Sequence, residues 1–187
     1  MLVCKIPNNC IVAVSGGVDS MSLLNFARCG KKKVKVIHFD HGTPYGKRAR
    51  NLVEVCCLRA GIVFKTYTYN GSEHTEYAWA EWRNNIMQTQ GTLVLTAHHE
   101  DDSLESYLMR GSQIALINGN ILRPFINAKK SEIVEYAQRH RLIWLDDPTN
   151  LTSSNRRSKI RNELIPLMRA CGINPYNLTK GSSHESC

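Results

Sequence analysis

Short apolar runs, each followed by a stretch with helical spacing, constrain this chain more than any other feature. Residues 10–15 (C-I-V-A-V-S) are apolar and β-branched and stop at Gly16-Gly17. From Asp19 to Cys29 the apolar positions Met21, Leu24 and Ala27 then recur at helical intervals. The unit repeats. A strand over 34–39 (V-K-V-I-H-F) leads to a helix over 47–60 closed by Gly61, and a strand over 62–69 to a helix over 76–90 ending at Gly91. A strand over 93–96 (L-V-L-T) precedes a helix over 101–110. A brief fifth strand at Ile121-Leu122 comes before Arg123-Pro124 and a helix over 131–141 with Ser131 as its N-cap. Strands alternating with helices imply crossover connections, so the predicted class is α/β: a doubly wound, mostly five-stranded parallel sheet covered on both faces.

A length of 187 residues suits one core. The sheet domain is expected over 1–150. A basic helical extension over 151–171 carries Arg156, Arg157, Lys159, Arg161 and Arg169, and a frayed, Gly/Ser/Asn-rich tail over 172–187 follows. Lys and Arg number 24 against 16 Asp and Glu, a net +8 that favours a polyanionic partner. The seven cysteines, an odd count without a C-x-x-C pair, fit neither a disulfide framework nor metal knuckles and read as reduced thiols of a cytoplasmic protein. No apolar run approaches the roughly 20 residues of a membrane span.

In doubly wound sheets ligands bind beyond the carboxyl ends of the strands, and the loop there after the first strand is Ser15-Gly16-Gly17-Val18-Asp19-Ser20. Two glycines allow close backbone approach, and the helix start offers free N–H groups, so the loop suits a phosphate. It is neither G-x-x-x-x-G-K-[ST] nor G-x-G-x-x-G, which excludes the triphosphate P-loop and the dinucleotide fingerprint. A plain βα turn capped by Asp19 or Ser20 is the competing explanation. Asp19 would repel a bare polyphosphate, so Mg²⁺ is expected with the nucleotide, Asp19 being its candidate ligand.

If a helix begins near His99, then His98, Asp102 and Glu105 share one face at its N-terminus. Asp101, Asp102 and Glu105 repel one another unless a cation lies among them, although acids at a helix start also simply complement its dipole. For the basic run 156–169 the choice lies between a solvated helix face and phosphate contacts to RNA.

S-G-G-V-D-S after the first strand resembles the signature of the PP-loop ATP pyrophosphatases, which cleave ATP between the α and β phosphates and adenylate a carbonyl-type oxygen. A more detailed resemblance, over residues 10–170, is to the tRNA(Ile)-lysidine synthase family. It is carried by H-F-D-H-G at 38–42, T-A-H-H-E-D-D-S-L-E-S at 96–106, Arg110-Gly111 and Arg123-Pro124. Trp144 with D-D-P-T-N at 146–150, and Arg157 and Ile160-Arg161 ahead of Pro166, complete it. The resemblance implies that ATP adenylates the wobble cytidine of tRNA(Ile) and that lysine displaces AMP. ATP would then lie against Ser15, Gly16, Gly17, Val18, Asp19, Ser20 and His38. Asp102 and Glu105 would hold lysine, with His98 and Arg83 near the reacting groups, and Arg123, Arg157 and Arg161 would contact RNA. Partners so implied are tRNA and lysine, with a homodimer left open and no membrane.

The chain departs from that pattern at Trp79 and Asn84, where an arginine and a tyrosine are usual, and at Ser103, Ser106 and Ser158. Trp79 and Trp82, at i and i+3, fit core packing or base stacking. A thiolase or amidotransferase of the same superfamily, or a non-catalytic nucleotide- or RNA-binding module, are the alternatives.

Overall fold

The computed structural model describes residues 2–147 and 156–180. Strand β1 (Asn9–Ala13) is followed by α1 (Val18–Cys29), β2 (Lys33–Asp40), α2 (Pro44–Arg59), β3 (Val63–Thr68) and α3 (Glu76–Gln88). Then come β4 (Val94–Leu95), α4 (Glu100–Arg110), β5 (Ile117–Asn118), β6 (Ile121–Leu122) and α5 (Lys130–Arg139). The sheet runs β3-β2-β1-β4-β6-β5, every pairing parallel except β5 with β6. The α/β expectation therefore holds, with one strand added: Asn118-Gly119 turns the chain back on itself, with Gly119 at φ +55°, and places an antiparallel edge strand beyond the five parallel ones.

Alternation along the strands sorts the core into two layers. Register aligns Phe64, Val36, Val12, Leu95 and Leu122 across five strands. That row packs with Leu23, Leu24 and Ala27 of α1, Val53 and Cys57 of α2, and Ile133 of α5. The opposite face carries Ile11, Ile37, Val94 and Ile121 against Met87 of α3. A strand buried on both sides must be apolar almost throughout, which is why β1 reads as a continuous apolar run. Connections leave β1 toward β2 and β3 on one side, and β4 leads to β6 on the other, so the order reverses between β1 and β4 and a crevice opens at their carboxyl ends.

Three expectations need correction. Helix α5 starts one residue early: Lys129 is its N-cap, and its N–H donates to Glu132 Oε2 at 3.0 Å, so Ser131 lies inside the helix and caps nothing. The described part of the basic segment is not one helix but α6 (Arg156–Lys159), a π-helical turn (Ile160–Leu164) and α7 (Ile165–Ala170). Ile160 and Ile165 pack on Leu104 of α4, so the segment lies against the sheet domain instead of projecting from it. The expected frayed tail holds a further turn, α8 (Asn177–Lys180), which Tyr176 anchors by donating its hydroxyl to Asp101 Oδ1. Pro148, Thr149 and Asn150, the expected boundary at 150, and residues 181–187 lie outside the described residues. No helix among the described residues is long and apolar enough to cross a membrane.

Leu23, fully buried between α1 and the sheet, is expected to be costly to shorten. Leu23→Ala removes packing that nothing nearby replaces, so unfolding free energy should fall by about 2–5 kcal/mol and the melting temperature by roughly 5–15 °C, read by thermal and urea denaturation.

Candidate nucleotide cleft

The crevice at the carboxyl ends of β1, β2 and β4 is a cleft of about 430 Å³, lined among others by Ser15, Asp19, Arg83, His98 and Asp102. Its floor is the turn from β1 into α1. Gly16 has φ +91°, and a Cβ there would lie 3.1 Å from the Ala49 Cβ of α2, so only glycine lets the turn press onto that helix. Gly17 caps α1 with ordinary backbone angles, φ −78° and ψ 163°, and a Cβ there would meet nothing closer than 3.7 Å. Its lack of a side chain serves no internal packing and leaves the turn open to a ligand. Ser20 sets the curvature: its Oγ donates to the Gly17 carbonyl at 3.0 Å and accepts the Ser15 N–H at 3.1 Å. Met21 makes the first intrahelical bond, to Gly17, which leaves the N–H groups of Val18, Asp19 and Ser20 without intrahelical acceptors at the positive end of the helix.

Asp19 is already answered by the chain. Lys130 Nζ lies 2.6 Å from both of its oxygens, and His99 Nε2 is 3.8 Å from Oδ1. Among the described residues no three His, Cys, Asp or Glu side chains gather as metal ligands. The Mg²⁺ expectation thus rests on one carboxylate that a lysine neutralises, and the donor set does not by itself build a metal site.

The second wall is the start of α4. His99 is its N-cap: the ring accepts the Asp101 N–H, while the His99 N–H donates to Asp102 Oδ2 at 3.0 Å. Burial works to raise the Asp102 pKa, but His99, His98, the His99 N–H and Arg161 outweigh it and hold the carboxyl below its usual range. His98 Nδ1 lies 2.9 Å from Thr96 Oγ1, which fixes the ring. Burial, against the pull of Asp102, pushes His98 down to about 4, so it is neutral at pH 7.

Glu105 is fully buried one turn further on, and the cation it requires comes from the basic segment. Arg161 Nε donates to Oε1, and Arg157 Nε approaches Oε2 at 3.2 Å without hydrogen-bond alignment. Arg157 also donates to Glu76 Oε1 at 3.2 Å, and Arg161 Nη2 is 3.8 Å from Asp102 Oδ1. Burial still holds the Glu105 pKa above its ordinary value despite Arg161.

Of the residues expected at a nucleotide site, the structure brings Ser15, Asp19, Ser20, Arg83, His98 and Asp102 to one cleft, which Arg157 also lines. His38 is not at its surface: it is buried on the opposite face of the sheet, with Nδ1 2.7 Å from the Val14 carbonyl and its ring near Phe64, and burial lowers its pKa. Phe39 and His41, of the other parity, line the cleft instead. Arg123, expected to contact RNA, is buried and donates to the Ala115 carbonyl at 2.8 Å, where it holds the loop before β5. Glu105, expected to hold a substrate ammonium, is closed off by the two arginines.

A PP-loop domain family model matches residues 3–168. The chain is 31% identical over 190 residues to a tRNA(Ile)-lysidine synthase of Aster yellows witches'-broom phytoplasma, covering 90% of this chain and 44% of that protein. It is also 31% identical over 180 residues to one of Actinobacillus pleuropneumoniae, covering 86% and 43%. The chain thus spans less than half the length of these curated relatives. Among solved structures an NH3-dependent NAD synthetase from Campylobacter jejuni superposes with TM-score 0.55 at 14% identity, over 94% of this chain and 82% of that one. An NMN synthetase from Francisella tularensis superposes with TM-score 0.54 at 12% identity, over 95% and 79%. At those identities the likeness is one of fold.

Arg161→Ala would leave the buried Glu105 carboxylate with Arg157 alone. Stability at pH 7 should fall by about 2–3 kcal/mol, below the usual figure for a broken buried pair because Arg161 is partly exposed. Glu105 has a raised folded-state pKa, so its ionisation opposes folding, and losing Arg161 raises that pKa further. The deficit should therefore be fully present above the variant's Glu105 pKa and shrink as pH falls toward the unfolded carboxyl value. Urea denaturation of both proteins between pH 4.5 and 8 measures it; a pH-independent deficit would refute the pairing.

Proposed function

The chain belongs to the PP-loop family, and on that premise we propose that it is an ATP-using enzyme of tRNA modification which adenylates the wobble cytidine of tRNA(Ile) and joins lysine to it. One observation carries this reading: Ser15, Asp19 and Ser20, which flank the glycine turn at the start of α1, line the same cleft as Arg83, His98 and Asp102. A phosphate-binding turn and a set of polar groups suited to adenylyl transfer thus face one space. The similarity to lysidine synthases supports the choice of substrates.

In this reading the β and γ phosphates rest on the N–H groups of Val18, Asp19 and Ser20, with Lys130 and Arg83 as flanking cations. The cytidine O2 attacks the α phosphorus, the bond to the bridging oxygen breaks, and pyrophosphate leaves toward the loop. The lysine amine, having lost its proton to solvent water, then attacks C2, and AMP departs with the C–O bonding pair. His98, with a pKa of about 4, is a poor proton acceptor at pH 7 and serves as a neutral hydrogen-bonding group. Asp102 stays ionised and faces the cleft, so it is the acid that pairs with the lysine ammonium. Glu105 acts one step back, by orienting Arg157 and Arg161. A single-stranded wobble base is already largely unstacked and is cheap to present. Arg156 and Lys159, on the exposed side of the basic segment, are the phosphate contacts in place of Arg123.

Incubation with ATP, Mg²⁺, lysine and bulk tRNA, followed by mass spectrometry of the nucleosides, tests the reading. A lysine-containing cytidine is expected. A thiolated base, or none changed in tRNA that the protein binds, would assign the chain to one of the other classes.

Asp102→Asn should raise the Michaelis constant for lysine at least tenfold while transfer of labelled AMP to tRNA persists without lysine, since truncating one partner of a desolvated charge pair costs about 2–5 kcal/mol. An unchanged lysine dependence would remove Asp102 from the amine site.

A further inference from the structure

The wall of the cleft opposite α4 is aromatic. The His41 ring lies 4.7 Å from the ring of Trp79, tilted by 34°, and meets Trp82 edge-on at 5.9 Å. Trp82 is held in turn between Phe39 and Tyr69, each with ring centroids 5.3 Å away. His41 Nε2 lies 2.8 Å from Arg83 Nη1. A guanidinium only donates, so Nε2 is the acceptor and the imidazole proton sits on Nδ1. Protonating Nε2 would abolish that bond and set two cations against each other.

The environment of Trp79 shows what its ring does. The indole Nε1 is buried and has no hydrogen-bond partner among the described residues. A buried donor left unpaired costs free energy, so the position is held for the ring face and not for the N–H. That face lies on His41, and both His41 and Arg83 line the cleft.

We infer that Trp79 is a positioning residue: by stacking on His41 it keeps the imidazole a neutral acceptor, and the imidazole fixes the Arg83 guanidinium where it faces the bound nucleotide. This deepens the reading above and rests on it. The charged and titratable groups around His41 are Arg83 from α3, with Glu76 and Arg157 beyond it, and His38 and Asp40 from β2. Burial first, then the charge on Arg83, drive the His41 pKa down to about 4 against the pull of Asp40. Removing the indole admits water and relieves that burial, so the pKa should climb toward the ordinary value near 6.5. The sign follows: at pH 8 the variant's His41 is neutral and Arg83 stays in place, while at pH 5.5 about nine-tenths of it is protonated and Arg83 is repelled.

The test is NMR titration of the His41 ring together with calorimetric ATP affinity between pH 5.5 and 8. The proteins are the parent, Trp79→Phe and Trp79→Ala, with Trp79→Gln in reserve should the alanine variant melt too low. Parent and Trp79→Phe should keep His41 neutral and hold the ATP dissociation constant within about twofold, the phenylalanine variant melting no lower since it sheds an unpaired donor. Trp79→Ala should titrate near 6–6.5, and its ATP affinity should weaken about tenfold from pH 8 to 5.5. Three results would overturn the inference: unchanged His41 titration in Trp79→Ala, a uniform loss of affinity independent of pH, or a phenylalanine variant that behaves like the alanine one. A parent that binds no ATP sinks the nucleotide reading itself, and the His41 titration then decides the stacking alone.

Discussion

The turn at Gly16 is the constraint from which the rest of the site follows. β1 is flanked by β2 and β4 and buried on both faces, so its carboxyl end is fixed by the whole sheet. The chain must leave it within a few residues and enter α1 while packed against Ala49, which requires the left-handed backbone at Gly16. The same turn aims the N–H groups of α1 into the crevice between β1 and β4. The Leu145 N–H donates to the Gly16 carbonyl, and the Tyr45 hydroxyl donates to the Leu145 carbonyl, so a segment far along the chain and the start of α2 are tied to the same point.

Charge is the second organising constraint. Asp19 and Asp102 line the cleft and Glu105 is buried one turn behind it, and each is met by a cation from a distant part of the chain: Lys130 for Asp19, Arg161 for Asp102 and Glu105, Arg157 for Glu105. Desolvated acids without such partners would take up protons or unfold the site. These pairs bring α1 to α5 and α4 to the basic segment, so the neutralising contacts also assemble the walls. On the aromatic side the polarity is reversed: the cation is Arg83, and a neutral histidine held against tryptophan accepts from it.

What the sequence disclosed was local. The strand and helix periods, the glycine turn and the acids at the start of α4 each lie within a few residues, and all are in the structure. The edge strand β5 is the element that the strand–helix period does not disclose, although Asn118-Gly119 between short apolar pairs is a hairpin signal. The family resemblance points to His38 at the nucleotide, whereas strand alternation puts residues 38 and 39 on opposite faces, and Phe39 and His41 line the cleft. The arginines were the least legible. A charge run looks the same whether its members are solvated or paired, and Arg161 meets Glu105 across 56 positions of sequence that only the folded chain brings together. Arg123 likewise shows its role only once the Ala115 carbonyl stands beside it.

The role proposed for the turn at Gly16-Gly17 is to present ATP for cleavage at its α phosphorus. Supplying the protein, tRNA, Mg²⁺ and lysine with ATP labelled in turn at the α and γ positions, and separating the products, tests it most directly. Pyrophosphate carrying the γ label and AMP carrying the α label are expected, in equal amounts and dependent on tRNA. Release of the γ label as orthophosphate, with ADP as the partner product, would contradict it.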